Sequence, residues 1–258
     1  MKPSTAFSTT ANFALLIVGE PKAGKSGLLL SFPDLGIIDW DLNLASAVRR
    51  DPTKKFVYSQ PSTTDDGKQR PHQDQWLYAV KETQAMLADP TIRTIGVDGL
   101  GLMAQALCAH ITNEAQKSGA SKVKTVGLNN EVIPGMEIQH YNDLARLLRA
   151  YIMLVRSSGK NLVVTSHQSA EKDEVTKAFK YSLAIPGQSK DTLGGCFTDV
   201  WAMSAEPVGL EVKYKIRTRP TGMHIALGAS FPIDSAIDVT GKSPTQVGEI
   251  LKVKINAK

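Results

Sequence analysis

The strongest structural signal in this chain is the sequence Val18-Gly19-Glu20-Pro21-Lys22-Ala23-Gly24-Lys25-Ser26. It follows the apolar run 13–17 and precedes Leu28-Leu29-Leu30, so the order is strand, glycine-containing loop and helix. It satisfies the pattern G-x-x-x-x-G-K-[ST], in which backbone N–H groups surround a phosphate at the positive end of a helix. The sequence therefore predicts a phosphate-binding loop.

Two side chains of this loop have specific expected roles. The Lys25 ammonium is expected to reach the β- and γ-phosphates of a nucleotide, and the Ser26 hydroxyl to bind Mg²⁺. The alternative, an ordinary glycine turn before a helix, is disfavoured by the flanking strand and helix signals. The expected nucleotide-binding residues are Gly19, Glu20, Pro21, Lys22, Ala23, Gly24, Lys25, Ser26 and Gly27.

Composition favours one large α/β domain. The chain has 258 residues, of which 42% are hydrophobic and 21% charged, which is enough to build a sizeable core. We expect residues 1–12 to form a flexible N-terminal arm and residues 13–258 to form a single domain. The net charge of +5 permits a nucleic-acid partner without requiring one.

The cysteines and the apolar runs indicate the redox environment of the protein and whether it associates with a membrane. Cys108 and Cys196 are the only cysteines and lie far apart in apolar segments, which argues against a disulfide framework or a zinc site. Residues 1–12 lack a signal-peptide core, and no apolar run approaches the length of a membrane span. These features predict a soluble cytoplasmic protein with buried thiols and no membrane association.

Strand-like and helix-like segments alternate along most of the chain. Strands are predicted at 13–18, 36–41, 93–98 and 161–167, helices at 73–88, 100–115 and 138–155, and long polar loops at 117–135 and 168–193. Three β-runs follow at 197–203, 210–218 and 223–227, and Ser243-Pro244 opens a short C-terminal helix. The pattern predicts an α/β fold with a mostly parallel sheet flanked by helices and antiparallel strands at one edge.

The helix predicted at 138–155 has the most regular apolar pattern in the chain. Its apolar residues recur at three- and four-residue spacing from Ile138 and Tyr141 to Val155. This spacing predicts one continuous stripe, including Ile138 and Tyr141, that is buried against the sheet.

Polar groups follow several of the predicted strands. In an open α/β sheet, ligands bind beyond the carboxyl ends of the strands. Asp98 is therefore the expected acid of the Mg²⁺ site, with capping of the next helix as its alternative role. Asp41 is positioned to activate water, and Asp39 competes with it, since both lie on the same face of the strand. Capping of the turn at 42–48 is the alternative for either carboxylate.

The order of these motifs resembles the RecA-like P-loop ATPase core. The phosphate loop is followed by Ile-Ile-Asp-Trp-Asp-Leu-Asn-Leu-Ala, Thr-Ile-Gly-Val-Asp, Leu-Val-Val-Thr-Ser-His-Gln and a β-meander carrying Lys-Tyr-Lys-Ile-Arg-Thr-Arg. The closest resemblance is to compact phage-encoded RecA-like ATPases of single-strand annealing and recombination. It covers roughly residues 12–230 and implies ATP and Mg²⁺ as cofactors.

The resemblance also implies roles for individual residues. Asp41 matches the acid that activates water, although RecA itself uses the longer glutamate. His167 is the preferred γ-phosphate sensor and Gln168 the second candidate, while a satisfied polar strand end is the alternative. Arg217 and Arg219, with Lys215 in reserve, are candidates to reach a neighbouring subunit's nucleotide. The alternative interpretation is that these basic residues lie on a solvated edge strand, because basic and apolar residues alternate there.

The loops after Asp98 and His167 face DNA in RecA-like assemblies. In this chain they carry basic residues with interleaved aromatic rings, which suits phosphate contacts and base stacking. The candidate residues are Lys122, Lys124, Lys177, Phe179, Lys180 and Tyr181. The alternative is a solvated flexible segment, because acidic residues dilute the charge.

Together these features predict an ATPase that forms a homo-oligomer, with nucleotide at the subunit interfaces, and binds single-stranded DNA. A single-strand-binding protein is a further expected partner, and a phage origin implies the bacterial host cytoplasm. The alternative is a nucleotide-gated switch or scaffold with little or no hydrolysis, which the shorter Asp41 favours. A small-molecule kinase is disfavoured because an Arg-rich lid is missing, and a GTPase because the chain has no Asn-Lys-x-Asp motif.

Overall fold

The computed structural model describes residues 12–119, 124–126, 132–134, 136–172, 174, 179–220, 227–230 and 233–256. The strands are β1 (Ala14–Gly19), β2 (Leu35–Asp39), β3 (Val57–Ser59), β4 (Thr94–Asp98), β5 (Lys124–Val126), β6 (Val132–Pro134), β7 (Asn161–Lys172), β8 (Phe179–Leu183), β9 (Asp199–Val208), β10 (Glu211–Arg217) and β11 (Ala236–Asp238). The helices are α1 (Lys25–Leu30), α2 (Leu44–Val48), α3 (His72–Ala88), α4 (Leu100–Lys117), α5 (Ile138–Ser157), α6 (Ser189–Thr192) and α7 (Pro244–Asn256), and a 3-10 helix spans Leu193–Cys196.

Nine of the described strands form one sheet, whose main path runs β11-β10-β9-β1-β7-β4-β2-β3, with β8 paired to β7. The six strands from β9 to β3 along this path run parallel to one another, whereas β10 pairs antiparallel with both β9 and β11, and β8 pairs antiparallel with β7. This arrangement confirms the predicted fold class, a RecA-like P-loop core with antiparallel edge strands. One strand, β7, separates the strand before the phosphate loop from the strand that ends at Asp98.

Alternate residues of the central strands pack on opposite faces of the sheet. In β1, Leu16 and Val18 join an apolar cluster with α3, α4 and α5, while Leu15 and Ile17 join a second cluster with α1, α2 and α7. Every residue of β1, β2 and β4 is buried. Covering both faces with helices explains why these strands read as continuous apolar runs. It also leaves the strand ends as the place where polar groups meet.

The segments predicted as long loops contain paired strands. β5 and β6 form an antiparallel hairpin within 117–135, and β7 continues beyond His167 to Lys172, where β8 pairs with it. Pairing satisfies backbone N–H and C=O groups that an unpaired segment would leave without partners. The loop prediction was wrong in these places because their polar side chains obscured the strand signal.

The late strands also differ from the prediction. β9 lies beside β1 and runs parallel to it, and the strand that pairs with the end of β10 is β11. Residues 223–226 of the predicted third run lie outside the described part of the chain, as does the N-terminal arm up to residue 11.

Helix α5 forms as predicted, but its buried stripe is shorter than its apolar pattern. Leu144, Leu148 and Val155 are buried, whereas Ile138 is 89% exposed and Tyr141 is 36% exposed. In the same first turn the polar His140 is buried, so at this end the buried face of α5 is not the apolar stripe. Within the described part of the chain, no helix has the length and apolar character needed to cross a membrane.

A lysine side chain joins the end of α3 to the start of β7. The Lys160 ammonium donates hydrogen bonds to the carbonyl oxygens of Met86 at 3.1 Å, Asp89 at 2.5 Å and Ile92 at 2.6 Å. These carbonyls belong to the last turn of α3 and the chain that leaves it, where a positive charge complements the helix dipole.

Candidate active site

The phosphate loop connects β1 to α1 and packs closely against β9. A Cβ atom on Gly19 would lie 2.4 Å from the carbonyl oxygen of Met203, so only glycine allows this approach. Gly24 caps the start of α1 with a φ of 95°, a conformation that favours glycine. The two glycines of the sequence pattern are therefore required by the geometry of the loop.

The Lys25 ammonium lies inside the curve of the loop. It donates to the carbonyl oxygens of Gly19 at 3.1 Å and Glu20 at 2.8 Å, and it is 3.0 Å from Nδ1 of His167. Burial lowers the pKa of Lys25 to about 8, although the nearby Asp98, Asp41 and Glu20 oppose this shift. The side chain therefore remains largely charged at neutral pH and is placed where the loop would enclose a phosphate.

Asp98 ends β4 beneath the loop and is only 1% exposed. Its Oδ1 accepts a hydrogen bond from the Thr165 hydroxyl at 2.6 Å, and the Thr165 oxygen accepts one from the Gly99 N–H at 3.0 Å. Burial raises the pKa of Asp98, while the hydroxyls of Thr165 and Ser26 lower it. No side chain caps α4, so the alternative capping role for Asp98 is wrong.

Ser26 and Asp98 provide the oxygen ligands that Mg²⁺ prefers. Oδ2 of Asp98 is buried and forms no hydrogen bond within the described part of the chain, although the Ser26 hydroxyl is close enough to lower the pKa of the carboxyl. Mg²⁺ is commonly held by one or two protein oxygens together with substrate phosphates and water. The described residues contain no cluster of three or more His, Cys, Asp or Glu side chains that would suit another metal. The site therefore fits Mg²⁺.

Asp41 and His167 complete a continuous polar cluster with Lys25. Oδ2 of Asp41 is 3.6 Å from Nε2 of His167, and a Cβ atom on Gly99 would lie 2.3 Å from Oδ1 of Asp41. Burial and the neighbouring Lys25 lower the pKa of His167, which favours the neutral ring. Because an ammonium can only donate, Nδ1 of that ring accepts from Lys25 and Nε2 carries the proton that faces Asp41.

Asp39 has a different environment from Asp41. It is fully buried, and its two oxygens accept hydrogen bonds from the Leu42 N–H at 3.0 Å and the Gln60 amide at 2.9 Å. Burial raises the pKa of Asp39 to about 6. These bonds hold the turn after β2, which is the capping role, whereas Asp41 faces the phosphate loop. Of the two sequence candidates, Asp41 therefore has the position suited to catalysis.

Two cavities flank the phosphate loop. The first, here called the α1-side cavity, has a volume of about 340 Å³ and lies between Gly24, Gly27, Tyr214 and the turn 239–244. The Arg50 guanidinium stands 5.8 Å from the centre of the Tyr214 ring. These residues were not singled out in the sequence, since nothing local indicates that β10 and the β11–α7 turn meet at the start of α1.

The second cavity, here called the β8-side cavity, has a volume of about 360 Å³. Its walls combine Glu20 and Pro21 of the loop with Gln168, Tyr181 and Arg217. Gln168 therefore faces this cavity, whereas His167 is the residue that contacts Lys25. Tyr181, predicted to contact nucleic acid, lies here as a half-buried side chain close to the phosphate loop.

The basic residues of β10 are held by a carboxylate of their own chain. Glu206 on β9 accepts hydrogen bonds from Lys215 at 2.9 Å and from Arg217. These two partners lower the pKa of Glu206 to about 2. Arg219 follows the end of β10 and is exposed.

Most of the predicted nucleic-acid residues lie in or near the two hairpins. Lys124 is in β5, and Phe179 and Lys180 are in β8. Lys122 and Lys177 lie outside the described residues.

A protein-family model described as an AAA domain matches residues 11–227 of the chain. A search of curated protein sequences found no match. Among solved structures, the flagellar accessory protein FlaH from Methanocaldococcus jannaschii is 12% identical, with a TM-score of 0.46 over 91% of this chain and 87% of that one. A KaiC-like protein from the archaeon Pyrococcus horikoshii OT3 is 8% identical, with a TM-score of 0.44 over 88% of each chain.

Proposed function

The chain belongs to the AAA-domain family of P-loop ATPases, and from this we propose that it hydrolyses ATP with Mg²⁺, forms homo-oligomers and binds single-stranded DNA. The observation that carries the catalytic part is the cluster of Lys25, His167, Asp41 and Asp98 around the phosphate loop. Each of these side chains has a position that fits one part of phosphoryl transfer.

Binding and charge compensation would come from the loop and β4. The backbone N–H groups of the loop and the Lys25 ammonium would hold the β- and γ-phosphates. Ser26 and Asp98 would hold Mg²⁺, whose charge stabilises the phosphate oxygens as negative charge develops on them. Thr165 keeps Asp98 in place through its 2.6 Å hydrogen bond.

Water activation is assigned to Asp41. Its carboxylate is 12% exposed, so it is reachable from the loop yet shielded from bulk water. It would orient the attacking water and accept its proton, which is general base catalysis. His167 would donate from Nε2 toward the γ-phosphate, replacing its present approach to Asp41 at 3.6 Å.

The α1-side cavity would receive the adenine base. It opens beside Gly24 at the start of α1, on the side of the loop away from β4, and offers the Tyr214 ring as an apolar wall. The Gln246 amide, which also lines the cavity, provides hydrogen-bonding groups for a base edge.

Assembly would place a neighbour's basic residues at this site. Arg217 and Arg219, with Lys215 in reserve, are the proposed donors. Support comes from the exposure of Arg219, which follows the end of β10. Such an arginine contributes about 10³–10⁵ in rate in well-studied sites. Glu206 would have to release Arg217 for this role.

The DNA partner is proposed from the two hairpins that follow β4 and β7, and from the resemblance of the motifs to phage-encoded recombination ATPases. On this proposal the protein acts in single-strand annealing or recombination in the cytoplasm of a bacterial host, together with a single-strand-binding protein. ATP turnover measured with and without single-stranded DNA tests the proposal. Turnover that rises with DNA supports it.

A nucleotide-gated scaffold is the second candidate, and the 3.6 Å approach of Asp41 to Nε2 of His167 favours it, because a carboxylate that interacts with an imidazole is less available to activate water. ATP binding without turnover, with or without DNA, would establish this role and exclude the ATPase.

A mixing experiment tests the shared site. An Arg217→Ala/Arg219→Ala chain keeps its phosphate loop, and a Lys25→Ala chain keeps its arginines, so mixed oligomers should recover part of the activity. A tagged pull-down must first show that the two chains assemble together. Given assembly, no recovery at any mixing ratio would show that the arginines do not act in trans.

A further inference from the structure

A groove separate from the nucleotide site lies between the first half of α5 and the segment that follows β8. Its volume is about 600 Å³, within the range of ligand-binding clefts. The lining residues are Ile138, Tyr141, Asn142, Ala145, Arg146, Arg149, Gly187, Gln188, Ser189 and Thr192. This α5 groove therefore lies beside the start of α5 and beside the residues that follow β8 in the chain.

The charged groups that line the groove are both cationic. Arg146 pairs with Asp143 at 3.0 Å, but both side chains are strongly exposed, and such pairs contribute little. Arg149 donates to the Thr192 hydroxyl at 3.2 Å. No carboxylate is among the described residues that line the groove, so its electrostatic character favours an anion.

The groove also has an aromatic wall and amide groups. The Tyr141 ring is 36% exposed and packs so closely on Gly187 that a Cβ atom there would lie 2.7 Å from its Cδ1. Asn142 and Gln188 can donate and accept hydrogen bonds with base edges. From Tyr141 to Arg149 the helix rises about 12 Å, which matches about three to four steps of about 3.4 Å between successive nucleotides.

We propose that the α5 groove binds single-stranded nucleic acid, with phosphates at Arg146 and Arg149 and a base stacked on Tyr141. An aromatic face beside cationic side chains is the combination that single-strand-binding proteins use. The inference rests on the proposed DNA-binding function and adds a site to it. The groove extends the predicted DNA surface from the two hairpins onto a helix.

The first test measures binding of fluorescein-labelled oligothymidine by anisotropy over a range of salt concentrations. Arg146→Gln/Arg149→Gln should bind more weakly, and the slope of log affinity against log salt should fall by about 1.4, or about 0.7 for each lost phosphate contact. The matched control is Lys81→Gln/Arg93→Gln, which removes two exposed charges from α3 and the start of β4. The control should keep the wild-type slope.

Tyrosine variants separate stacking from charge. Tyr141→Leu should weaken binding by about 5- to 150-fold, as expected for the loss of one base–aromatic stack. Tyr141→Phe keeps the ring and should bind like the wild type. A halogenated oligothymidine, cross-linked by light to the wild-type protein, should mark a peptide containing Tyr141, and this result does not depend on the folding of any variant.

The outcomes separate the groove from the broader function. If the wild type binds oligothymidine but the arginine variant and its control bind equally, the groove is excluded while DNA binding stands. If the wild type fails to bind with or without ATP, both proposals fail. If sedimentation shows that the arginine variant instead loses its oligomeric state, the groove is an interface between copies and the proposal is wrong.

Discussion

The hydroxyl of Thr165 is a sensitive test of how the site is built, because it joins β7 to the end of β4. It donates to Oδ1 of Asp98 at 2.6 Å and accepts from the Gly99 N–H at 3.0 Å, and both bonds are buried. Thr165→Val keeps the shape of the side chain and removes both bonds. We therefore expect a variant that folds but is clearly less stable.

The expected loss follows from the two bonds. A hydrogen bond to a charged carboxylate contributes about 1.5–3 kcal/mol, and a buried N–H left without a partner costs about 1–3 kcal/mol. Because the surroundings relax in part, we expect a decrease of about 3–5 kcal/mol in the free energy of unfolding. For a domain of this size, each kcal/mol lowers Tm by about 2–4 °C. The variant should also need more Mg²⁺ for ATP turnover, because Asp98 is no longer held.

Urea denaturation and ATP turnover against Mg²⁺ concentration measure these effects. Thr112→Val is the matched control, since its buried hydroxyl bonds only to carbonyl oxygens of its own helix at 2.9 Å and 3.1 Å. It should cost less than about 1 kcal/mol. Thr165→Ser should restore most of the loss. If Thr165→Val costs no more than Thr112→Val, Thr165 does not hold Asp98 as the structure indicates.

Three further predictions concern the phosphate loop, the two candidate acids and the end of α3. Lys25→Ala should abolish ATP turnover in a folded protein, as measured by phosphate release, and unchanged turnover would exclude the proposed site. Asp41→Asn should lower turnover at least tenfold, as expected for loss of a general base, whereas Asp39→Asn should retain it; the opposite result would exchange their roles. Burial raises the pKa of Asp39 to about 6, so the protonated carboxyl stabilises the fold at acidic pH, and this stability is lost as pH rises from about 4 toward that value. In urea titrations the free energy of unfolding of Asp39→Asn, relative to that of the wild type, should therefore increase by up to about 3 kcal/mol between acidic and neutral pH. Lys160→Met removes the ammonium donor shared by the carbonyls of Met86, Asp89 and Ile92, of which that of Asp89 keeps the Ile92 N–H at 3.3 Å. It should cost about 2–4 kcal/mol in urea denaturation with unchanged turnover, while exposed Lys81→Met should cost almost nothing; an equal effect of both would contradict this role.

The sequence was sufficient for the phosphate loop and for the parallel core. The loop pattern is contiguous, and Gly24 is required by a single φ angle, whereas the close approach of Gly19 to Met203 of β9 is a long-range contact that the pattern indicates only through the presence of the glycine. The positions of Asp98 and His167 after buried apolar residues could be predicted because apolar runs and the polar groups after them are local features, although β7 continues past His167 to Lys172. The prediction of Asp41 as the acid facing the site depended on resemblance, since both carboxylates follow the same strand.

Contacts between distant segments could not be predicted from the sequence pattern. Thr165 reads as an ordinary β-branched strand residue, and only the pairing of β7 with β4 reveals its bond to Asp98. The partnership of Glu206 with Lys215 and Arg217 depends in the same way on the pairing of β9 with β10. Periodicity predicted a buried stripe on α5 but not that His140 would be the buried residue of its first turn, so Ile138 and Tyr141 were wrongly assigned to the core.

Strand register connects the apolar core to the chemistry of the site. Gly19 is paired with His167 across β1 and β7, which brings the imidazole to the loop, and Val97 is paired with Val164, which leaves Asp98 beside Thr165. Shifting β7 by one residue would send every side chain to the opposite face of the sheet. Such a shift would remove His167 from Lys25 and Thr165 from Asp98, and it would also exchange the apolar residues between the two clusters. The packing of β7 on both faces therefore holds His167 and Thr165 of the candidate site in place, although its buried apolar side chains lie in the two clusters and not at the site.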